Sequence, residues 1–242
     1  MTNPNGPYPG RQLFVGRTGE GSPAIAYLVT GRSPASRERM AVAVDNTIRI
    51  GPLGDTPYDP LRHYNGVKYD DTSGIIVVSN GIQTEAIFEV FKLLYNTESP
   101  PTIDYMEKIM KGARAEPDSL QTPRIAGAIT SQGTGAASIY IIGIVTAERS
   151  VAFQVEPGAG KFYGVSTYHG DMESPGPFDI NSGPVEIEFT GNSAADIAEQ
   201  LFEMSEAFNQ EEDIRVCAIG GVLSGDNGTW ELAIINTHQE RY

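Results

Sequence analysis

Three arginines crowd one short stretch of this chain. Arg32, Arg37 and Arg39 fall within Gly31-Arg32-Ser33-Pro34-Ala35-Ser36-Arg37-Glu38-Arg39, directly after the apolar run Ala24 to Val29. The planar guanidinium fork matches phosphate and carboxylate oxygens, so three of them in one turn-forming stretch carry enough charge to neutralise a phosphate dianion. The competing reading is a solvated loop in which Glu38 offsets part of that charge. Two further polar groups stand at the ends of apolar runs: Tyr64-Asn65 beside one, and Ser79-Asn80-Gly81 closing another. For Asn80-Gly81 a plain structural turn is an equally good account.

Other motifs fail on spacing. Gly158-Ala159-Gly160-Lys161 lacks a Gly five positions before Gly160 and has Phe162 where a phosphate loop needs Ser or Thr, so it reads as a hairpin turn. Gly133-Thr134-Gly135 lies between two strand signals and opens no helix, which removes a dinucleotide fingerprint. His63, His169 and His238 have no Cys partners and no i, i+4 pairing, and no metal or cofactor is expected. No Gly-x-Ser-x-Gly elbow occurs. Cys217 is the single cysteine, flanked by Val216 and Ala218-Ile219, and reads as a buried strand residue.

The formal charge of −14 is unevenly spread. Up to Arg124 there are 13 basic and 14 acidic residues; from Ile125 onward there are 4 and 17. Such a balance excludes a general binder of polymeric nucleic acid or anionic membrane, because phosphates are held by net positive surfaces. A single nucleotide stays possible, since the near-neutral first half holds most of the arginines. With 242 residues and 40% hydrophobic content the chain has enough apolar material for one large domain. The longest apolar run, Ile139 to Ala147, is far short of the roughly 20 residues of a spanning helix. The first residues show neither a basic nor an apolar signal region, and a cytoplasmic location is expected. In that compartment the sequon Asn227-Gly228-Thr229 is a chance match.

The elements that must position these residues follow from periodicity. Residues 1–10, rich in Pro, Gly and Asn, read as a flexible tail, and 11–242 as one domain. Strand patterns run over Leu13–Val15, Ala24–Val29, Ala41–Val44, Thr47–Ile50, Tyr64–Tyr69 and Ile75–Val78, with a Pro/Gly-rich loop at Gly51–Pro60. Helical spacing appears at Thr84–Leu94 and Thr102–Ala113, separated by Pro100-Pro101. Strands resume at Arg124–Thr130, Ser138–Thr146, Val151–Val155, Lys161–Ser166 and Val185–Phe189. A helix capped by Asn192 or Ser193 is predicted to end near Asn209, and Arg215–Leu223 with Thr229–Asn236 to close the chain as a hairpin across Ser224–Gly228. Strand runs interrupted by grouped helices predict an α+β fold, sheets packed together with helices outside.

Gly16-Arg17, Tyr27-x-Val29-Thr30-x-Arg32-Ser33 with Arg37, Tyr64-Asn65, Val77-Val78-Ser79-Asn80-Gly81 and Thr122-Pro123-Arg124-Ile125-Ala126 occur in an order and spacing that resembles the archaeal-type inosine monophosphate cyclohydrolase family. The resemblance is good over about residues 11–130 and looser beyond. It implies a four-layer αββα sandwich like that of N-terminal-nucleophile hydrolases, without use of an N-terminal nucleophile. It also implies dehydrative closure of 5-formamidoimidazole-4-carboxamide ribotide to inosine monophosphate, the last step of purine synthesis. On that basis Tyr64, Glu116 and Arg32 are the expected catalytic residues, and Arg37, Ser33, Asn65, Asn80 and Arg124 the expected substrate-binding ones. The implied partner is a small ribonucleotide, with no nucleic acid polymer and no membrane, and the protein is expected to be a homo-oligomer. The chain departs from the pattern in the small residues of the Arg loop, in Gly66 where the family suggests Cys, and in the extra residues before Arg11. A non-catalytic nucleotide-binding protein on the same fold is the alternative reading, and an autoprocessed amidohydrolase a third.

Overall fold

Successive side chains of a strand point to opposite faces, so a strand buried on both sides reads as a nearly continuous apolar run. Arg11–Arg17 (β1) and Pro23–Thr30 (β2) pair antiparallel in this way in the computed structural model, which describes residues 8–131, 138–224 and 228–238. On β2, Ala24, Ala26 and Leu28 face one apolar cluster and Ile25, Tyr27 and Val29 another. A single helical turn, Pro34–Arg37 (α1), follows where the sequence suggested only a loop. Ser33 caps it, its hydroxyl accepting from Ser36 N while Ser36 Oγ accepts from Ser33 N.

Strands Arg39–Val44 (β3), Thr47–Pro52 (β4), Tyr64–Asp70 (β5) and Ile75–Ser79 (β6) come next, then helices Gln83–Asn96 (α2) and Ile103–Ala113 (α3). Arg124–Thr130 (β7), Ile139–Val145 (β8) and Ser150–Val155 (β9) complete an antiparallel meander ordered β3-β4-β5-β6-β7-β8-β9. Lys161–Ser166 (β10) starts the return to the other sheet. It is followed by the short pair Tyr168–His169 (β11) and Gly176–Pro177 (β12), then Val185–Glu188 (β13) and Ala194–Met204 (α4). A two-residue pair, Phe208–Asn209 (β14) and Glu212–Asp213 (β15), precedes Arg215–Leu223 (β16) and Trp230–Asn236 (β17). The second sheet is ordered β13-β10-β1-β2-β16-β17 and draws strands from both ends of the chain. The fold is α+β with antiparallel sheets.

Three apolar clusters order the packing. One joins Ile25, Tyr27 and Ile219 of the six-stranded sheet to Ile76, Ile129 and Ile142 of the seven-stranded sheet. A second sets Phe88, Phe91, Met106 and Met110 of α2 and α3 against Val77, Ala126 and Ile141. The third sets Ile197 and Leu201 of α4 against Leu28 and Ala218. Asn236 fastens the free edge of β3, its side chain accepting from Ala41 N at 2.8 Å and donating to Ala41 O at 3.0 Å.

Several expectations change. Gly158–Lys161 is a turn, with Lys161 N donating to Gly158 O at 3.1 Å. It is not a hairpin, because β9 and β10 belong to different sheets. The last helix stops at Met204 rather than near Asn209: its buried stripe ends at Leu201, and the chain then reverses through Gln210 and Glu211, both at positive φ. Such paired positive-φ residues make the tight turn that a short antiparallel pair needs. Tyr8, Pro9 and Gly10 are packed in place rather than belonging to a loose tail. Tyr8 N donates to Gly170 O, Tyr168 N donates to Pro9 O, and the Tyr8 ring is only 6% exposed. Residues 1–7, Gly133–Gly135 and the middle of the β16–β17 turn, Asn227 included, lie outside the described residues. No described helix is long and apolar enough to cross a membrane.

The register brings Arg11 at the start of β1, Thr30 at the end of β2, Tyr64 at the start of β5 and Arg124 at the start of β7 to one end of the sandwich.

Candidate active site

At that end lies a cleft of about 290 Å³, lined by Tyr8, Arg11, Thr30, Arg32, Ser33, Ser36, Arg39, Asp59, Leu61, Arg62, Glu116, Asp118, Leu120, Thr122 and Tyr168. Among its lining groups Glu116 is a carboxylate only 3% exposed. The loop from Glu116 to Thr122 holds it there. Glu116 N donates to Thr122 O at 2.9 Å, and Asp118 accepts from both Thr122 N (2.8 Å) and Thr122 Oγ1 (2.5 Å). Thr122 Oγ1 also hydrogen-bonds the Tyr168 hydroxyl.

A carboxylate so deep in the protein needs compensation. Arg11 Nη2 donates to Glu116 Oε1 at 2.6 Å, and Arg124 Nη1 stands 3.8 Å from the same oxygen. Burial pushes the Glu116 carboxyl above the usual carboxylate range, against the opposing pull of Arg11 and Arg124. Burial opposes the charge on Arg11, but Glu116 and the nearby phenols Tyr64 and Tyr27 hold its guanidinium above the ordinary value. Burial draws Arg124 below its ordinary value, offset in part by Glu116. The Asp118 carboxylate lies near enough to act on both Glu116 and Arg124, so the inner end gathers two guanidiniums and two carboxylates. Arg11 Nε and Arg124 Nε are buried with no hydrogen-bond partner among the described residues.

Arg124 owes its position to its neighbours. Asn80 Nδ2 donates to Pro123 O at 2.9 Å, and Asn80 Oδ1 accepts from Ile125 N at 2.8 Å and Gln83 Nε2 at 3.0 Å. Gly81 leaves the space that the guanidinium occupies, because an added Cβ there would overlap Arg124 Nη1. Asn80 is thus a buried brace for residues 123–125 and is outside the cleft lining. Asn80→Ala is expected to cost about 1–3 kcal/mol, since it strands two buried donors and a carbonyl. A urea titration checks this, and an unchanged midpoint would remove the brace.

Neither Arg124 nor Tyr64 is among the cleft-lining residues; Tyr64 borders a second cavity of about 410 Å³ with His63, Asn65 and Gly81. Its hydroxyl lies 2.8 Å from that of Tyr27, and it is close enough to Arg11 and Arg124 to influence both charges. At Gly66, where the family pattern suggests Cys, a Cβ would sit 3.1 Å from Ile50 Cγ1 and 3.3 Å from Tyr27 Cε1. The missing side chain leaves room for the Tyr27 ring.

Arg32 and Ser33 reach the cleft. Arg32 Nη1 donates to Met172 O at 2.8 Å and Glu173 O at 3.3 Å, and its guanidinium lies over the Tyr8 ring, which stacks on Tyr168. Ser33 lines the rim while capping α1. Arg37 and Asn65 are not brought to it. Arg37 faces a separate groove with Asn209 and His238, its Nη1 donating to Gly31 O and Arg32 O. Asn65 lines the same cavity as Tyr64 and donates to Glu85 Oε1, also in that lining, at 2.6 Å. Arg39, the third arginine of the loop, is a buried brace donating to Thr30 O and Ser36 O. Arg11, Tyr8, Asp118 and Tyr168 went unnoticed in the sequence; only Arg11, a charge opening an apolar strand, carried any local signal. Among the described residues no three His, Cys, Asp or Glu side chains gather as a metal site.

The family described as IMP cyclohydrolase-like protein matches residues 8–227. The IMP cyclohydrolase of Methanocaldococcus jannaschii is 31% identical over 201 residues, covering 82% of this chain and 88% of the relative. That of Methanosphaera stadtmanae is 31% identical over 204 residues, 81% and 85% of the two chains. That of Halobacterium salinarum is 27% identical over 225 residues, 93% and 99%.

Proposed function

This chain belongs to the IMP cyclohydrolase-like family, and from that membership we propose that it closes 5-formamidoimidazole-4-carboxamide ribotide to inosine monophosphate with loss of water. The observation that carries the reading is the buried Glu116 between Arg11 and Arg124 at the inner end of the cleft. Ring closure joins the carboxamide nitrogen to the formyl carbon of the same molecule. A site that holds the two groups together removes much of the barrier, up to about 7–11 kcal/mol in favourable intramolecular cases.

The residues divide the work. Glu116 takes a proton from the carboxamide nitrogen as its lone pair bonds to the formyl carbon. The C=O π pair moves to oxygen, and Tyr64 gives that oxygen a proton, producing a hydroxyl on the new ring carbon. Arg11 and Arg124 supply positive charge to the oxygen while it is an anion. In the second step the formamido nitrogen expels the hydroxyl, which takes the proton held by Glu116 and leaves as water. The remaining proton on that nitrogen returns to Tyr64, so both side chains end as they began. Burial suits Glu116 to this exchange, because a carboxyl raised toward neutrality both accepts and releases a proton.

Arg32 binds the ribotide, with its phosphate, at the mouth; its Nε and Nη2 have no hydrogen-bond partner among the described residues. Ser33 is placed with it. Arg37, Asn65 and Asn80 serve at most to support the loop, the α2 face and Arg124. The two sheets with helices outside fit a four-layer, N-terminal-nucleophile-hydrolase-like sandwich, and a cytoplasmic homo-oligomer belongs to the same reading. Purified protein is expected to convert the formamido ribotide into inosine monophosphate, followed by the gain of purine absorbance. Calorimetric binding of the ribotide without turnover would instead favour the non-catalytic nucleotide-binding protein.

A further inference from the structure

Tyr27 is 0% exposed in the middle of β2, within the apolar cluster between the two sheets. Phe would fill that space as well, so the hydroxyl needs its own account: burying one without a hydrogen bond is unfavourable. Among the described residues its one partner is the hydroxyl of Tyr64, at 2.8 Å. Either oxygen of the pair can be the donor on distance alone. The surroundings decide between them. If Tyr64 donated, the Tyr27 proton would be buried with no acceptor. If Tyr27 donates, it is satisfied, and the Tyr64 proton is left free to point toward the end of the sandwich where Arg11, Glu116 and Arg124 meet.

We propose that Tyr27 is a positioning residue that donates its phenolic proton to Tyr64 Oη, turning the Tyr64 proton toward the reacting groups and steadying the phenolate formed when Tyr64 gives it up. The proposal rests on the reading of Tyr64 as proton donor. As the Tyr64 O–H bond breaks, its proton passes to the formyl oxygen and the electron pair stays on Tyr64 Oη, where the Tyr27 hydrogen bond strengthens. The proton comes back from the formamido nitrogen when water leaves, and Tyr27 keeps its own proton throughout. Burial, followed by the neighbouring Tyr64, pushes the Tyr27 phenol well above its ordinary value, which keeps it a donor. Gly66 leaves space for the Tyr27 ring, so the pair is built into the sheet packing.

The test compares kcat and KM of wild type, Tyr27→Phe, Tyr64→Phe and the double variant, per mole of folded protein from a urea titration. Tyr27→Phe keeps the ring and is expected to lower kcat about tenfold at unchanged KM, the size of one hydrogen bond to a charged group. The double variant is expected to be no slower than Tyr64→Phe alone, because Tyr27 acts only through Tyr64. A merely structural Tyr27 would lower stability and leave kcat in place. Should Tyr27→Phe fold poorly, Tyr27→Met, a flexible filler without a hydroxyl, gives the same comparison. A Tyr27→Phe kcat within twofold of wild type, or a tenfold factor that persists in the double variant, overturns the proposal alone. A fully active Tyr64→Phe overturns the role of Tyr64 and this proposal with it.

Discussion

Glu116→Gln is expected to reduce kcat/KM by about 10²–10⁴-fold, the range seen when a general base is removed from its substrate. Gln preserves the shape and can still accept from Arg11, but it cannot take a proton from the carboxamide nitrogen. The same change has a second, separable effect. Arg11 and Arg124 lose the charge that compensates them in a buried setting. Breaking one partner out of such a group typically costs about 3–5 kcal/mol. Rates must therefore be normalised to the folded fraction, from a urea titration run under the assay conditions. A variant that is less stable yet turns over at the wild-type rate would make Glu116 a structural counter-ion only.

Tyr64→Phe carries the other large effect, a fall of about 10²-fold in kcat, from loss of the proton donor at the formyl oxygen. The ring keeps its place beside Ile50 and Val67 in the inter-sheet cluster, so packing changes little. The hydroxyl of Tyr27 is left without an acceptor, at a cost of about 1–3 kcal/mol in stability. Steady-state kinetics beside thermal unfolding separates the two consequences. Wild-type kcat together with the stability loss would assign the phenol to packing, and some other group would have to protonate the oxygen.

Much of the fold was legible because its strands are buried on both faces and its helices on one. β2, β7 and β8 are nearly unbroken apolar runs, and α2 and α4 keep their buried residues on a single stripe. The short helix α1 and the turn after α4 were not legible, since a single turn has no period and Gln210 and Glu211 are not glycines. The site was legible as a set of strand ends and not as a set of directions. Tyr64 and Asn65 are neighbours on β5 and alternation places them on opposite faces: Tyr64 enters the cluster between the sheets and Asn65 reaches Glu85 on α2, while both border the second cavity rather than the cleft. Arg37 and Arg39 spend their donors on backbone carbonyls. Their loop therefore offers the cleft mainly Arg32. Arg11 and Tyr168 lie far apart in the sequence, and only the pairing of β1 with β2 and β10 brings them beside Glu116.

The charge distribution acquires a local meaning. A net charge of −14 disfavours polymeric phosphate, yet the cleft gathers Arg11, Arg32, Arg39 and Arg62 in its lining.

Glu116 is the proton acceptor we propose, with a carboxyl that burial has raised against its two arginines. The pH dependence of kcat/KM for wild type and Glu116→Gln tests this most directly. Because the ionised form is the base, wild-type activity is predicted to fall as pH drops through an acidic limb lying above the usual carboxylate range. The Gln variant is predicted to lose that limb along with its rate. A limb that survives in Glu116→Gln, or a wild-type limb at the ordinary carboxylate value, would contradict it.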